Sequence, residues 1–264
     1  MPTRTSAAVR RVAFPALVVG AAAILRVARS DDPRRLDLAA ELARPSFAHP
    51  LGCGDGGVDL LSLVCEALLR SVLLAAVVAL IALVIGTSIG AAAGLAGGRV
   101  EGLVRRVCDS VQAFPSFVLA LGVLAAVPHP TRVHVGVVLA LTAWAPFARL
   151  ALAELRIVRG LSYIEAARAI GASPFRVLGR HAIPAVLPVA RAQLGSTAAA
   201  LLVSDAALAF IGVGPADGVS LGALVDQGVG AIVRAPHVLL VGAAALSIGA
   251  LALQALADPR RASP

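Results

Sequence analysis

The sequence predicts an all-α fold, a polytopic transmembrane helical bundle of six spans. Three observations carry that prediction. The 264 residues are 59% hydrophobic and 14% charged, with a mean hydropathy of +0.89, well away from the balance of a soluble domain. Apolar runs long enough to cross a bilayer recur along the chain. All 23 basic residues are arginine, and they gather in the segments between those runs. Without a lysine the chain cannot build a P-loop lysine, a Schiff base or a Ser-Lys dyad, so it holds no Walker A site.

The first apolar run, Val12 to Leu25, follows Arg4, Arg10 and Arg11 and closes with Arg26 and Arg29. A basic start before a short apolar core also describes a signal peptide, but the residues after it make a poor small-residue cleavage site, so a retained anchor is expected. Residues 1–28 are read as the N-terminus and first span. The next segment, 29–70, is read as an outer loop, because 29–68 holds seven acids, several prolines and the glycine cluster Gly52-Cys53-Gly54-Asp55-Gly56-Gly57. That cluster lacks the following Lys-Ser/Thr of a phosphate cradle and reads as turns. Cys53, Cys65 and Cys108 lack CxxC spacing and suggest neither a metal site nor a disulfide framework; a Cys53–Cys65 bridge is conceivable but nothing demands it.

Residues 71–264 are read as a five-span core, with apolar runs at Ser71–Ala96, Val107–Val127, Val133–Leu152, Val186–Gly212 and Pro236–Ala257. Gly86, Gly90 and Gly94 recur every four residues, a small-residue face that lets helices approach closely in lipid. Pro115 and Pro146 are expected to kink or end spans. With the N-terminus inside, six crossings put most arginines in cytoplasmic segments, as the positive-inside rule requires, and both termini inside. The net charge of +8 is then a matter of topology, and nucleic-acid binding loses its motivation. Asp205 is the carboxylate set well inside an apolar run; it is expected either to face a pathway or an arginine, or to sit hydrated near the outer interface.

The connection at 153–187 is written in capping signals. Ser162-Tyr163-Ile164-Glu165 is a capping box, Ala166, Ala167, Ala169 and Ile170 propagate a helix, and Gly171 supplies the left-handed residue that ends it. The tight turn through Ala172 to Ser173-Pro174 is expected to leave no room for a branched side chain at Gly171. Ser173 and Pro174 start a second helix, and Pro184 is expected to stop it.

Glu165-Ala166-Ala167, Gly171 three residues on, and Ile183-Pro184 resemble the EAA loop of binding-protein-dependent ABC importer permeases, E-A-A-x3-G-x9-I-x-L-P. His181 stands where that pattern has its first isoleucine, as in the peptide branch. Trp144 to Arg149 resembles W-x-x-Y-A-R, Asp109 with Phe114-Pro115 resembles D-x4-F-P, and Asp205 to Gly214 resembles E-A-A-L-S-F-L-G-L-G. His49-Pro50-Leu51-Gly52 with Asp59, and the terminal Asp258-Pro259-Arg260, resemble the outer-loop and terminal signatures of the dipeptide/oligopeptide/nickel permease C-type branch. Cys53, Gly54 and Val58 depart from the usual Thr, Asp and Arg, and Asp205 replaces a glutamate.

The resemblance implies an ABC importer type I permease-like subunit in a bacterial plasma membrane, passing peptides or a related solute such as nickel. It implies a paralogous permease partner in a heterodimer, two ATP-binding subunits that hold ATP and Mg, and an extracytoplasmic solute-binding protein, all against membrane lipid. Residues 162–174 would couple to the ATPase: Ser162, Tyr163, Glu165, Ala166, Ala167, Gly171, Ala172, Ser173 and Pro174. Glu165 itself reads first as a helix cap, a role that is compatible with coupling because a cap stiffens the lever. An intramembrane enzyme would need a constellation such as G-x-S-x-G or H-E-x-x-H, which the spans lack, and a pure scaffold would leave the loop unexplained.

Overall fold

The computed structural model describes residues 4–29, 36–216 and 219–257, excluding the side chains of residues 4–12, 165, 167 and 168. The terminal Asp258-Pro259-Arg260 lies outside the described residues. The regular secondary structure of the described residues is helical, save one isolated β-bridge between Cys53 and Asp59.

Helix α1 covers Arg4–Ala28, of which Ala13–Ala28 is a short apolar stretch. Helix α2, Leu60–Ala96, starts well before the apolar run expected from Ser71. Asp59 accounts for the earlier start, since its carboxylate accepts the Ser62 N–H and satisfies an orphan donor of the first turn. Its 37 residues rise about 55 Å, more than a hydrocarbon core needs. Gly97, at φ +69°, ends it.

The run expected as one span at 107–127 is broken. Helix α3 (Gly98–Ala113) and helix α4 (Ser116–Ala125) meet at a 69° bend. Phe114 there is extended, at φ −87° and ψ 131°, because the ring of Pro115 disfavours helical backbone in the residue before it. Helix α5, Arg132–Val158, runs through Pro146 without breaking. Its start is tied by a reciprocal cap between Thr131 and His134.

Helix α6 is Ser162–Ala169 and helix α7 is Pro174–Val177. Pro184 does not stop the second helix: α7 passes through a π turn at Leu178–Ala182 into helix α8, Ile183–Phe210. The Ile183 N–H reaches back to the Leu178 carbonyl. That wider turn lets the proline ring enter without meeting the carbonyl four residues before it. Helix α9, Leu221–Gly230, and helix α10, Pro236–Gln254, complete the bundle.

Four helical stretches are long and apolar enough to cross a membrane: Leu60–Ala96, Arg132–Val158, Pro174–Phe210 and Pro236–Gln254; the bent α3–α4 pair would make five. Helix α2 is central, packing most extensively on α5 and next on α8. The 159–173 loop and the start of α3 lie at one end of the bundle, here the loop end. Residues 36–59, α9 and the turn before α5 lie at the other, the cap end.

Candidate functional site

The glycine face of α2 meets α5. A Cβ on Gly86 would lie 2.3 Å from the Trp144 carbonyl, one on Gly90 2.3 Å from the Ala148 carbonyl, and one on Gly94 2.6 Å from the Leu155 Cβ. Only a bare Cα permits that approach. The partner is inside the chain, and α5 is thereby held rigidly on α2 down to the loop end, where α6 begins.

The loop follows the order of the capping signals. Gly171 has φ +81°, the left-handed residue after α6, and the Ser173 hydroxyl accepts the Arg176 N–H with Pro174 at the first helical position. The Glu165 side chain, and so its half of the capping box, lies outside the described residues. The space around Gly171 is open, with no atom within 4 Å of an added Cβ, so the expected crowding is absent and only the backbone angle restricts this position. Ile164 is fully buried and pins α6 to the bundle. Tyr163 lies against the ring of His181, centroids 5.9 Å apart, joining α6 to the π turn. Ala172, Pro174 and Phe175 face Ala92, Leu95 and Ala96 of α2 across a cavity of about 490 Å³. Ile170 and Phe175 are each 86% exposed, two large apolar side chains near the turn, Phe175 at the open rim of that cavity.

A second site was not legible as a motif. A cavity of about 480 Å³ opens between the α3–α4 bend, α5 and α8, lined on its polar side by Gln112, Ser116, Thr142, Gln193, Ser196 and Ser204. Pro146, also in its wall, has no N–H and so makes no helical bond to the Thr142 carbonyl. Among the described residues lining it none is ionisable. Polar side chains inside an apolar bundle belong against water or a solute rather than lipid. The signal for α8 was in the sequence as a stripe, Gln193, Thr197, Ala200 and Ser204, one turn apart within an apolar run.

Asp205 points elsewhere. It is 1% exposed, accepts a 2.8 Å hydrogen bond from the Ser71 hydroxyl of α2, and is not part of the cavity wall. Its neighbour Ser204 is.

At the loop end, Glu101 of α3 is 5% exposed. It binds Arg105 at 2.6 Å, Arg156 at 2.5 Å and Arg159 at 3.2 Å, and Arg159 also donates to the Gly94 carbonyl. The ends of α2, α3 and α5 are thereby tied together just before the loop. Arg149 pairs with Asp109 at 3.3 Å.

At the cap end, Asp59 accepts from Ser62 and pairs with Arg29 at 2.9 Å and His49 at 3.0 Å. Burial pushes its carboxyl up, but the bonds from His49 and Ser62 and the Arg29 charge outweigh it, so its pKa lies below the ordinary carboxylate value. Gly52, at φ +81°, leaves room for His237 of α10, and Gly57 for the Asp37 backbone. The glycine cluster is thus a packed cap. Cys53, Cys65 and Cys108 are free and buried. No group of three His, Cys, Asp or Glu side chains suited to a metal occurs among the described residues.

Comparison with known proteins agrees with this geometry. The chain is 36% identical over 163 residues to a Brucella suis protein whose name assigns it to a peptide transport system permease; the match covers 60% of this chain and 54% of the relative. The chain thus spans about half the length of such relatives. It is 30% identical over 218 residues to the glutathione transport system permease protein GsiD of Pectobacterium atrosepticum, covering 82% of this chain and 72% of the relative. An Escherichia coli protein whose name assigns it to a D,D-dipeptide transport system permease is 30% identical, over 69% of this chain and 61% of its own. Residues 86–262, from the glycine face of α2 past the end of α10, match one family throughout, and the chain belongs to it: the inner membrane components of binding-protein-dependent transport systems.

Proposed function

We propose that this chain is one permease subunit of an ATP-driven importer for short peptides, lying in a bacterial inner membrane with both termini cytoplasmic. The observation that carries the reading is the loop, a short helix closed by Gly171 at positive φ with Ile170 and Phe175 exposed beside it. Large apolar side chains this exposed near a turn are suited to a protein groove. The groove belongs to an ATP-binding subunit, one of two, which holds ATP and Mg. Residues 162–174 are then the coupling element, and the Tyr163–His181 contact and the α2–α5 face carry its motion into the spans.

In this reading α1 and the bent α3–α4 pair each count as a crossing, which makes six. The chain supplies half of a path, and a paralogous permease supplies the other half. The polar cavity is this chain's share of the path wall. An extracytoplasmic binding protein delivers the solute at the cap end. Peptide is favoured as solute because the relatives' names cite peptides, D,D-dipeptides and glutathione, and because the hydroxyls and amides of the cavity suit peptide bonds.

The test uses Gly171→Val. A β-branched residue at positive φ costs about 1–3 kcal/mol locally, while the spans are untouched. The variant should reach the membrane at near-normal level yet lose co-purification of the ATPase and peptide uptake together. Normal uptake by the variant would reject the turn as the coupling element.

A further inference from the structure

We propose that Arg105, Arg149 and Arg156 form a carboxylate-binding station at the loop end of the path, a subsite for the free carboxylate of the peptide. This rests on the permease reading above. On α5, Thr142, Pro146, Arg149, Ala153 and Arg156 are spaced four, three, four and three residues apart, which places them on one helix face. Thr142 and Pro146 line the polar cavity. Arg149, Ala153 and Arg156, with Arg105 of α3, line a second cavity of about 190 Å³. The two cavities therefore follow one another along a single face of α5, toward the end where the loop lies.

The charge balance of that second cavity is positive. Its lining holds Arg105, Arg149 and Arg156 and no acidic residue among those described; these arginines pair with two carboxylates, Glu101, which Arg159 shares, and Asp109. Arg149 and Asp109 are about half exposed, at 53% and 52%, and a guanidinium has five N–H donors in a planar fork that matches a carboxylate. A peptide leaving the uncharged cavity thus meets donors for its carboxylate. A divalent cation meets net positive charge, with both nearby carboxylates already bound to arginine.

The experiment uses the whole transporter with its binding protein in proteoliposomes, with alanyl-alanine, glutathione and Ni2+ as probes. Arg149→Gln should lower the maximal rate of peptide uptake about tenfold, the loss of one charge-assisted hydrogen bond, at an unchanged half-saturating concentration of binding protein. Asp109→Asn breaks the same ion pair but leaves the guanidinium, and uptake should stay at the parent rate or rise. Equal losses in both variants would show that the pair is merely structural and overturn the assignment, as would parent-like uptake by Arg149→Gln. A defect that appears only in vesicles containing phosphatidylglycerol would assign the arginines to lipid phosphate instead. Uptake of Ni2+ with no uptake of either peptide by the unaltered transporter would reject the peptide reading itself.

Discussion

Asp59 shows how one carboxylate can hold a loop. It caps α2 and binds Arg29 and His49, and the adjacent backbone bonds from Cys53 to Ala43 and from Leu60 to Gly52 close the cap around it. Because its pKa is lowered on folding, the stability it confers is present above the unfolded-state value and is lost as pH falls through the lower folded value. Hydrogen exchange at the Cys53 and Leu60 amides, corrected for intrinsic rate, should therefore be protected at pH 7 and 5 and lose protection below about pH 4. Asp59→Asn should exchange faster at pH 7 and show no such step; equal protection in that variant would remove Asp59 from the account. Single residues were only partly legible in the sequence. The positive φ of Gly171 followed from its place after a helix, whereas the bond from Ser71 to Asp205 joins residues 134 apart, and no local pattern points to it.

The α2–α5 pair decides how the bundle is built at the level of its elements. Glycines every four residues bring the backbones together, and the close contacts run over Trp144, Ala148 and Leu155. Gly90→Val would press a branched side chain on the Ala148 carbonyl and the Ala151 Cβ, an overpacking cost of about 1–3 kcal/mol. Thermal unfolding of the purified chain should register that loss, and Gly122→Ala, with nothing within 4 Å, should match the parent. Equal midpoints for Gly90→Val and parent would show that the two helices do not depend on this face. The face itself was readable from spacing, but not its partner, because the spacing is the same whether the opposing helix is in the chain or in another subunit. Proline needed context of a different kind. Pro115 breaks a run, Pro146 does not, and Pro184 sits behind a π turn, since the outcome depends on whether neighbouring turns can widen to take the ring.

For the molecule as a whole, the two ends of the bundle are chemically distinct. The cap end is closed by the packed 36–59 segment against α9 and α10, and the loop end carries the exposed apolar turn and the arginine cluster. With the loop end cytoplasmic, Phe47→Cys, at a fully exposed cap position, should react with a membrane-impermeant maleimide in spheroplasts. Ile170→Cys, in cells without the ATP-binding subunit that would cover it, should react only after permeabilisation. The buried native thiols keep the background low. Labelling of Ile170→Cys from outside would invert the proposed topology.

The four long apolar helices, the turn at Gly171 and the close-packing face were legible in the sequence, because a bilayer demands long apolar helices with internally paired backbone and a helix end demands a particular residue. These are local requirements, met within one turn or one span. Only the tertiary structure decided that Asp205 is bound to Ser71, that Ser204 and Gln193 share a cavity with Thr142, and that three arginines from two helices surround one space. Those arrangements depend on how helices rotate against one another, and rotation is set by packing between residues far apart in the chain.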